Sequence, residues 1–242
     1  GGDLADQVEA GLVRDISDEV SDWIGDLSAG AVSLFEVDGG LYAVPFDLGM
    51  VGFWYNKELF AQAGIDAPPT TWDEFLDVVQ RLKDAGITPI AVGGQDRWPA
   101  HFYLAYLILR IGGQEAIEEI AANRSFDHPA VIEAGNQLQR LVELEPFQEG
   151  FLASTWPGPD GEAGWIGTGR AAISLMGQWG PGEYANSGGH GEPDQLPSER
   201  LPFEMGWFPF PEVEGGAGDL NDGIGGGNGF AVGRDAPPEA VE

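Results

Sequence analysis

The sequence predicts an α/β protein, because short apolar strands alternate along it with amphipathic helices. The clearest helix is expected to start at Thr71, because Thr71 and Glu74 have the spacing of a capping box. Gly86 is expected to end this helix. A buried strand is expected at Ile87 to Val92, and a further helix at Trp98 to Ile111. With 242 residues, 43% of them hydrophobic, the chain can form one large domain or two lobes that each have a core.

Two β-prone runs precede the helix that begins at Thr71. The first is Leu41 to Phe46, which we expect to be an edge strand or a strand that leaves its sheet, because Pro45 cannot donate a backbone hydrogen bond. The second is Met50 to Tyr55, and a helix begins after it at Asn56. A weaker helical spacing with an acidic outer face is present at Leu4 to Trp23.

The second half of the chain continues the alternation. His128 and Pro129 are expected to begin a helix, with His128 as a cap residue at the surface. The remaining expected segments are a surface loop (Phe151 to Gly164), a strand (Ala171 to Met176), an exposed loop (Ser187 to Pro202), a strand (Phe203 to Phe210), a glycine loop (Asp222 to Asn228) and a strand (Phe230 to Val232). The glycine loop is not a dinucleotide fingerprint, because a strand follows it and its glycine spacing is wrong. Close approach to a ligand and a plain turn both fit it.

Three motifs together resemble a known family. They are Gly-Gly-Leu-Tyr-Ala-Val-Pro at 39–45, Trp-Tyr-Asn-Lys-Glu-Leu-Phe at 54–60 and Gly-Ile-Asp-Ala-Pro-Pro-Thr-Thr-Trp-Asp-Glu-Phe at 64–75. Their order and spacing resemble the extracellular solute-binding proteins of ABC sugar importers, in the cluster similar to maltose-binding protein. The resemblance implies a two-lobed α/β fold of the type II periplasmic class that closes around its ligand by hinge bending. It also implies a disaccharide or oligosaccharide as ligand and an ABC permease as partner.

The resemblance extends over most of the chain and predicts its domains. Residues 1–46 are expected to form part of a first lobe, residues 47–207 the second lobe, and residues 208–242 the return to the first lobe. Because the family is considerably longer at both ends, we expect this chain to be an internal piece of the fold, incomplete at both ends. The implied location is extracellular or periplasmic, with a membrane tether in an N-terminal segment outside this sequence. The sequence itself has no signal peptide and no apolar run long enough to span a membrane.

The charge of the chain restricts its partners. Forty Asp and Glu residues against 11 Lys and Arg give a formal net charge of -29. Such a charge repels nucleic acid, phosphorylated ligands and anionic membranes, so a neutral sugar is the natural ligand and no nucleic-acid partner is expected. The alternative is that the acidity only keeps the surface soluble. The absence of cysteine excludes disulfides and zinc-thiolate sites, and the protein is expected to be a monomer without a cofactor or metal.

Sugar chemistry selects the candidate binding residues. A pyranose stacks its apolar C–H face on a flat aromatic ring, while its hydroxyls need directed polar partners such as a carboxylate. In the family, the segment that matches Gly177 to Pro181 brings a tryptophan into the cleft. The alternative is that Trp179 only fills the core. The residues expected to bind the ligand are Asp47, Trp98, Trp156, Trp179, Gly226 and Gly227.

No catalytic residue is expected. The histidines His101, His128 and His190 are scattered without metal-ligand spacing, and no hydrolase or phosphate-loop motif is present. Three alternatives stay open: a glycoside hydrolase with paired carboxylates, a free-standing carbohydrate-binding module, and a binding protein for a non-sugar solute.

Overall fold

The computed structural model describes residues 2–191 and 194–240. Contacts divide the chain into a smaller unit, formed from Gly1–Met50 and Gly225–Glu242, and a larger unit, Val51–Ile224. By these contacts residues 208–224, which the sequence analysis assigns to the first lobe, pack within the larger unit. The boundaries of the lobes of the complete fold stay a prediction.

Helices and strands alternate along the described residues. The α-helices are α1 (Gly2–Glu9), α2 (Ser17–Val20), α3 (Ala29–Ser33), α4 (Lys57–Gln62), α5 (Trp72–Asp84), α6 (Trp98–Asn123), α7 (Pro129–Glu143), α8 (Glu162–Gly167), α9 (Gly180–Ser187) and α10 (Pro197–Arg200). The strands are β1 (Glu36–Val37), β2 (Gly40–Leu41), β3 (Val44–Pro45), β4 (Gly49–Met50), β5 (Gly52–Asn56), β6 (Thr88–Ile90), β7 (Ala171–Met176), β8 (Met205–Phe208), β9 (Gly225–Gly226) and β10 (Gly229–Phe230). Single 3-10 turns lie at Ile24–Asp26, Gly94–Asp96, Phe151–Ala153 and Pro238–Ala240.

The described residues of the smaller unit form three two-stranded antiparallel sheets, β1 with β2, β3 with β10 and β4 with β9. Each pair is only two residues long, so most of its stability comes from packing rather than from the ladders. The helical region expected at Leu4 to Trp23 is two short helices, because Gly11 has φ 65° and α1 ends before it. The core of this unit is built from Ile16, Val20, Phe35, Leu41 and Ala43.

The larger unit contains a four-stranded mixed sheet in the order β6-β7-β5-β8. β6 and β7 are parallel, while β5 pairs antiparallel with β7 and β8. Aromatic rings pack on one face of this sheet: Phe53 of β5 lies 4.6 Å from the ring of Phe75 and 5.1 Å from that of Phe208. Tyr106 of α6 stacks on Phe210 at 4.8 Å. This apolar core supports the strands whose ends carry the candidate site.

Local capping signals place the helix starts where the sequence predicts them. Thr71 accepts from the Glu74 N–H at 3.3 Å and Glu74 accepts from the Thr71 N–H at 3.2 Å, which confirms the capping box of α5. The Asn56 side chain accepts from two N–H groups of α4, and His128 Nδ1 accepts from the Ala130 N–H of α7. The expected role of His128 as a cap is confirmed.

The helix expected at Trp98 to Ile111 is interrupted at Gly113 (φ 68°, ψ -172°), and a second helical segment, which the sequence did not predict, continues to Asn123 and packs the buried Ala116 on the core. Two other expectations about local structure were wrong. The loop expected at Phe151 to Gly164 is not wholly at the surface, since α8 begins inside it and buries Glu162 and Ala163. The loop expected at 187–202 contains the short helix α10; its residues 192 and 193 lie outside the described residues.

Candidate functional site

The three predicted tryptophans lie together in the larger unit. The ring centroid of Trp98 is 5.7 Å from that of Trp156 and 6.5 Å from that of Trp179. Trp156 is buried, Trp98 is half-buried, and Trp179 is 45% exposed. We call Trp98, Trp156 and Trp179 the aromatic cluster. Its exposed member argues against the alternative that Trp179 only fills the core.

Each ring of the cluster is placed by its own segment. Trp98 is the first residue of α6, with Pro99 in the first turn. Trp156 lies in the loop before α8, and its backbone N–H donates to Asp96 Oδ2 at 2.6 Å. Trp179 is the residue before α9, and its ring lies directly against the backbone of Gly177. A Cβ at Gly177 would be 2.2 Å from that ring, so any larger residue there would displace the ring.

A buried carboxyl group, which no sequence pattern indicated, bonds to the segments that carry the cluster. Glu162, the first residue of α8, is 1% exposed. Its Oε2 accepts from the Gly93 N–H at 2.7 Å, and its Oε1 is 2.6 Å from the Ser174 hydroxyl. The Tyr184 hydroxyl donates to Ser174 Oγ at 2.9 Å. Burial raises the pKa of Glu162 from 4.5 to about 8, and the nearby charge of Asp96 adds to the rise.

Asp47, Gly226 and Gly227 lie in the smaller unit. Asp47 Oδ1 accepts from the Asn228 N–H at 2.6 Å, and Asp47 Oδ2 accepts from Asn228 Nδ2 at 2.9 Å. The carboxylate therefore has a protein donor that the sequence analysis did not name. A Cβ at Gly227 would be 2.5 Å from the carbonyl oxygen of Asp47, so glycine allows this close approach, whereas Gly226 is exposed and pairs with Gly49 in the β4–β9 ladder.

Two cavities, one in each unit, do not by themselves identify a sugar site. A cavity of about 160 Å³ in the smaller unit is bordered by Phe46 and Asp47, and this volume is below the range typical of ligand pockets. A cavity of about 560 Å³ in the larger unit is lined by residues 212–219 with Thr71 and Asp73. Its lining contains no aromatic ring, so it lacks the stacking surface that a sugar needs. We therefore rest the site on the aromatic cluster.

The part of the chain that the structure describes contains no group of three His, Cys, Asp or Glu side chains arranged to hold a metal ion. Nor does any helix in the described ranges combine the length and the apolar character of a membrane span.

The chain belongs to the family of bacterial extracellular solute-binding proteins, because the model of this family matches residues 1–242. An uncharacterized ABC transporter extracellular-binding protein of Pyrococcus horikoshii is 31% identical over 150 residues, which are 61% of this chain and 33% of the relative. A multiple sugar-binding protein of Streptococcus mutans is 26% identical over 202 residues, 77% of this chain and 43% of the relative. The chain thus spans less than half of either relative.

A solved chitin oligosaccharide binding protein superposes with a TM-score of 0.82 and 29% identity, covering 98% of this chain and 57% of the solved one. The predicted family and the two-lobed α/β fold class are confirmed by these matches. The family consists of extracellular solute-binding proteins rather than enzymes. The ligand roles of the six predicted residues stay a prediction.

Proposed function

We propose that the protein binds a neutral disaccharide or oligosaccharide outside the cell membrane and delivers it to the permease of an ABC importer. The observation that carries this proposal is the aromatic cluster, in which Trp179 is 45% exposed and its ring centroid lies 6.5 Å from that of Trp98. An indole ring held in this way supplies a rigid apolar surface at low conformational cost, which suits the C–H face of a pyranose. The printed names of two relatives, a multiple sugar-binding protein and a chitin oligosaccharide binding protein, point to the same ligand class.

Polar partners are proposed on the smaller unit. The backbone N–H and the side-chain amide of Asn228 make three hydrogen-bond contacts to the carboxylate oxygens of Asp47. A carboxylate has about four lone-pair sites that can accept. The oriented carboxylate keeps one acceptor site for a sugar hydroxyl, as a charge-assisted hydrogen bond. We propose Gly226 and Gly227 as points where the ligand approaches the backbone. A Cβ at Gly226 would meet no atom within 4 Å, so the space beside this residue is open.

The net charge of -29 supports a neutral ligand, because an anionic solute would be repelled over long range. We propose a monomer that carries no cofactor and binds no nucleic acid. A membrane tether outside this sequence would keep the protein close to its permease.

A glycoside hydrolase is the alternative that the structure allows us to examine most directly. Paired-carboxylate hydrolysis needs a general acid with a raised pKa that reaches the glycosidic oxygen. Glu162 has the raised pKa, but it is 1% exposed and both of its oxygens are hydrogen-bonded inside the protein. We therefore propose that the protein binds its ligand without hydrolysing it.

The proposal is tested by a thermal-shift screen of the full chain against neutral disaccharides and against chito- and xylo-oligosaccharides. A ligand at about 100 times its dissociation constant should add roughly 2.7 kcal/mol of stability. Incubation with the same saccharides should release no product above the buffer level. Stabilisation by amino acids or polyamines but by no saccharide, or turnover of a saccharide, would contradict the proposal.

A further inference from the structure

Glu162 joins the three segments that carry the aromatic cluster. It lies at the start of α8, directly after the loop that contains Trp156, and its own N–H donates to the Thr155 carbonyl at 2.9 Å. The next residue along the helix, Ala163, donates its N–H to the Trp156 carbonyl at 3.0 Å. The backbone around Glu162 therefore determines where Trp156 lies.

The side chain of Glu162 reaches the other two segments. Through Oε2 it binds the N–H of Gly93, in the loop that leads to Trp98. Through Oε1 it contacts Ser174 of β7, the strand that leads to Trp179. Ser174 is also bonded to Tyr184 of α9, the helix that follows Trp179.

The surroundings of the carboxyl favour its neutral form. The titratable groups that face it are Asp96 from the 3-10 turn, Tyr103 from α6 and Tyr184 from α9. None of the three can carry a positive charge, and no ion pair to Glu162 is present among the described residues. A neutral carboxyl has one donor and one acceptor oxygen. In the ionised form the Ser174 hydroxyl donates to Oε1 and the Gly93 N–H donates to Oε2. In the neutral form the serine hydroxyl turns, Oε1–H donates to Ser174 Oγ and Oε2 still accepts from Gly93, so both contacts persist without burying a charge.

We infer that the neutral carboxyl of Glu162 is a positioning residue for the aromatic cluster, and that saccharide affinity falls when this carboxyl is ionised or replaced by an apolar group. Ionisation would place a buried charge next to Asp96, which the hydrogen bonds from Ser174 and Gly93 offset only in part, and would reverse the hydrogen bond between Glu162 and Ser174. The chain relieves that cost by admitting water or by moving the segments at Gly93 and Ser174, and either change displaces the rings of Trp98 and Trp179. This inference rests on the proposed function, because it concerns the same binding surface.

The test compares Glu162→Gln with the full wild-type chain. Glutamine has the shape of the neutral acid, with one oxygen to accept from Gly93 and an N–H to donate to Ser174, and it does not ionise. Glu149→Gln is the matched control, since Glu149 is an exposed glutamate in the same unit. Glu162→Met, which has a similar volume but no hydrogen-bonding carboxyl, tests removal of the contacts, with circular dichroism to verify its fold.

Affinity for one neutral oligosaccharide is measured by calorimetry from about pH 6.5 to about pH 9.5, a range that spans the pKa of about 8. We expect the affinity of the wild type and of Glu149→Gln to fall by about tenfold or more across this range. Glu162→Gln should keep the wild-type affinity of low pH throughout, and Glu162→Met should bind weakly at every pH. A wild-type affinity that does not change with pH, or a Glu162→Gln variant with the wild-type pH dependence, would overturn the inference.

A readout without ligand separates this inference from the proposed function. Tryptophan fluorescence of the free wild-type protein should change with a midpoint near pH 8, and the change should be absent from Glu162→Gln. If no saccharide binds at any pH, the proposed function fails, while this fluorescence change would still support the positioning role. A fluorescence titration that is the same in the wild type and in Glu162→Gln would contradict the positioning role whatever the ligand is.

Discussion

The ring of Trp179 rests on the backbone of Gly177, at a distance that leaves no room for a side chain at Gly177. The carbonyl of Gly177 also accepts from Trp54 Nε1 at 3.2 Å, which ties this backbone to the central strand β5. The exposed ring of the aromatic cluster is therefore supported by the sheet rather than by a free loop. A ring held on a rigid element can present a defined stacking surface.

Replacing Trp179 with alanine should weaken saccharide binding by about 1.5–3 kcal/mol, the usual size for burying a large apolar side chain. Because the ring is 45% exposed in the free protein, the loss of folding stability should be smaller. Trp23→Ala is the control, since Trp23 is 43% exposed and lies outside the cluster. Calorimetry and urea unfolding measure the two effects. Wild-type affinity together with a marked loss of stability would show that Trp179 is a structural residue.

Gly177→Ala should weaken binding while the fold persists. The added Cβ would displace the ring of Trp179, and the backbone itself is not in the left-handed region, so alanine is conformationally allowed. Gly135→Ala is the control, because Gly135 is in α7 and a Cβ there meets nothing within 4 Å. That control should raise stability by roughly 0.5–1 kcal/mol without changing affinity. Equal affinity of Gly177→Ala and the wild type would mean that the position of the ring does not matter for binding.

Asp47→Asn should cost roughly 1.5–3 kcal/mol of binding, the value for a hydrogen bond to a charged group, with little loss of fold. Asn228→Ala separates the two roles of this carboxylate, because it removes the side-chain donor but leaves the charge. We expect Asn228→Ala to bind more tightly than Asp47→Asn. If the two variants lose the same affinity, Asp47 acts by holding Asn228 rather than by contacting the sugar.

The pKa of Glu162 predicts a pH dependence of stability. Its pKa is raised from 4.5 to about 8 in the folded protein, so the folded state holds this proton where the unfolded state has lost it. The stabilisation is therefore complete below about pH 4.5 and is lost as pH rises to about 8. Glu162→Gln removes this dependence.

Between about pH 4.5 and about pH 8, the unfolding free energy of the wild type should therefore fall by a few kcal/mol relative to that of Glu162→Gln. Urea unfolding at several pH values measures this difference, in which the titrations of the other carboxylates cancel. A constant difference across this range would show that Glu162 has an ordinary pKa.

Several features could be predicted from the sequence, because they depend on residues that are close together along the chain. The capping box of Thr71 and Glu74 and the cap of His128 depend on residues within one helical turn, so their partners are already present in the local sequence. The buried strand at 171–176 was predicted for a similar reason, since an apolar run of this length between turn residues has few alternatives. The motif order near 39–75 pointed to the family, which the match over residues 1–242 confirms.

Tertiary structure alone decided the surroundings of the candidate site. Trp98, Trp156 and Trp179 lie on three separate segments, and only the folded sheet and its helices bring their rings together. Glu162 could not be distinguished in the sequence from the other members of a set of 40 acidic residues. Its pKa depends on burial and on hydrogen bonds to Gly93 and Ser174, which are distant in the chain. Local sequence therefore determined the capped helices, the strand at 171–176 and the family of this protein. Long-range packing decided which carboxyl is buried and which tryptophan ring is exposed, because burial is a property of the folded neighbourhood.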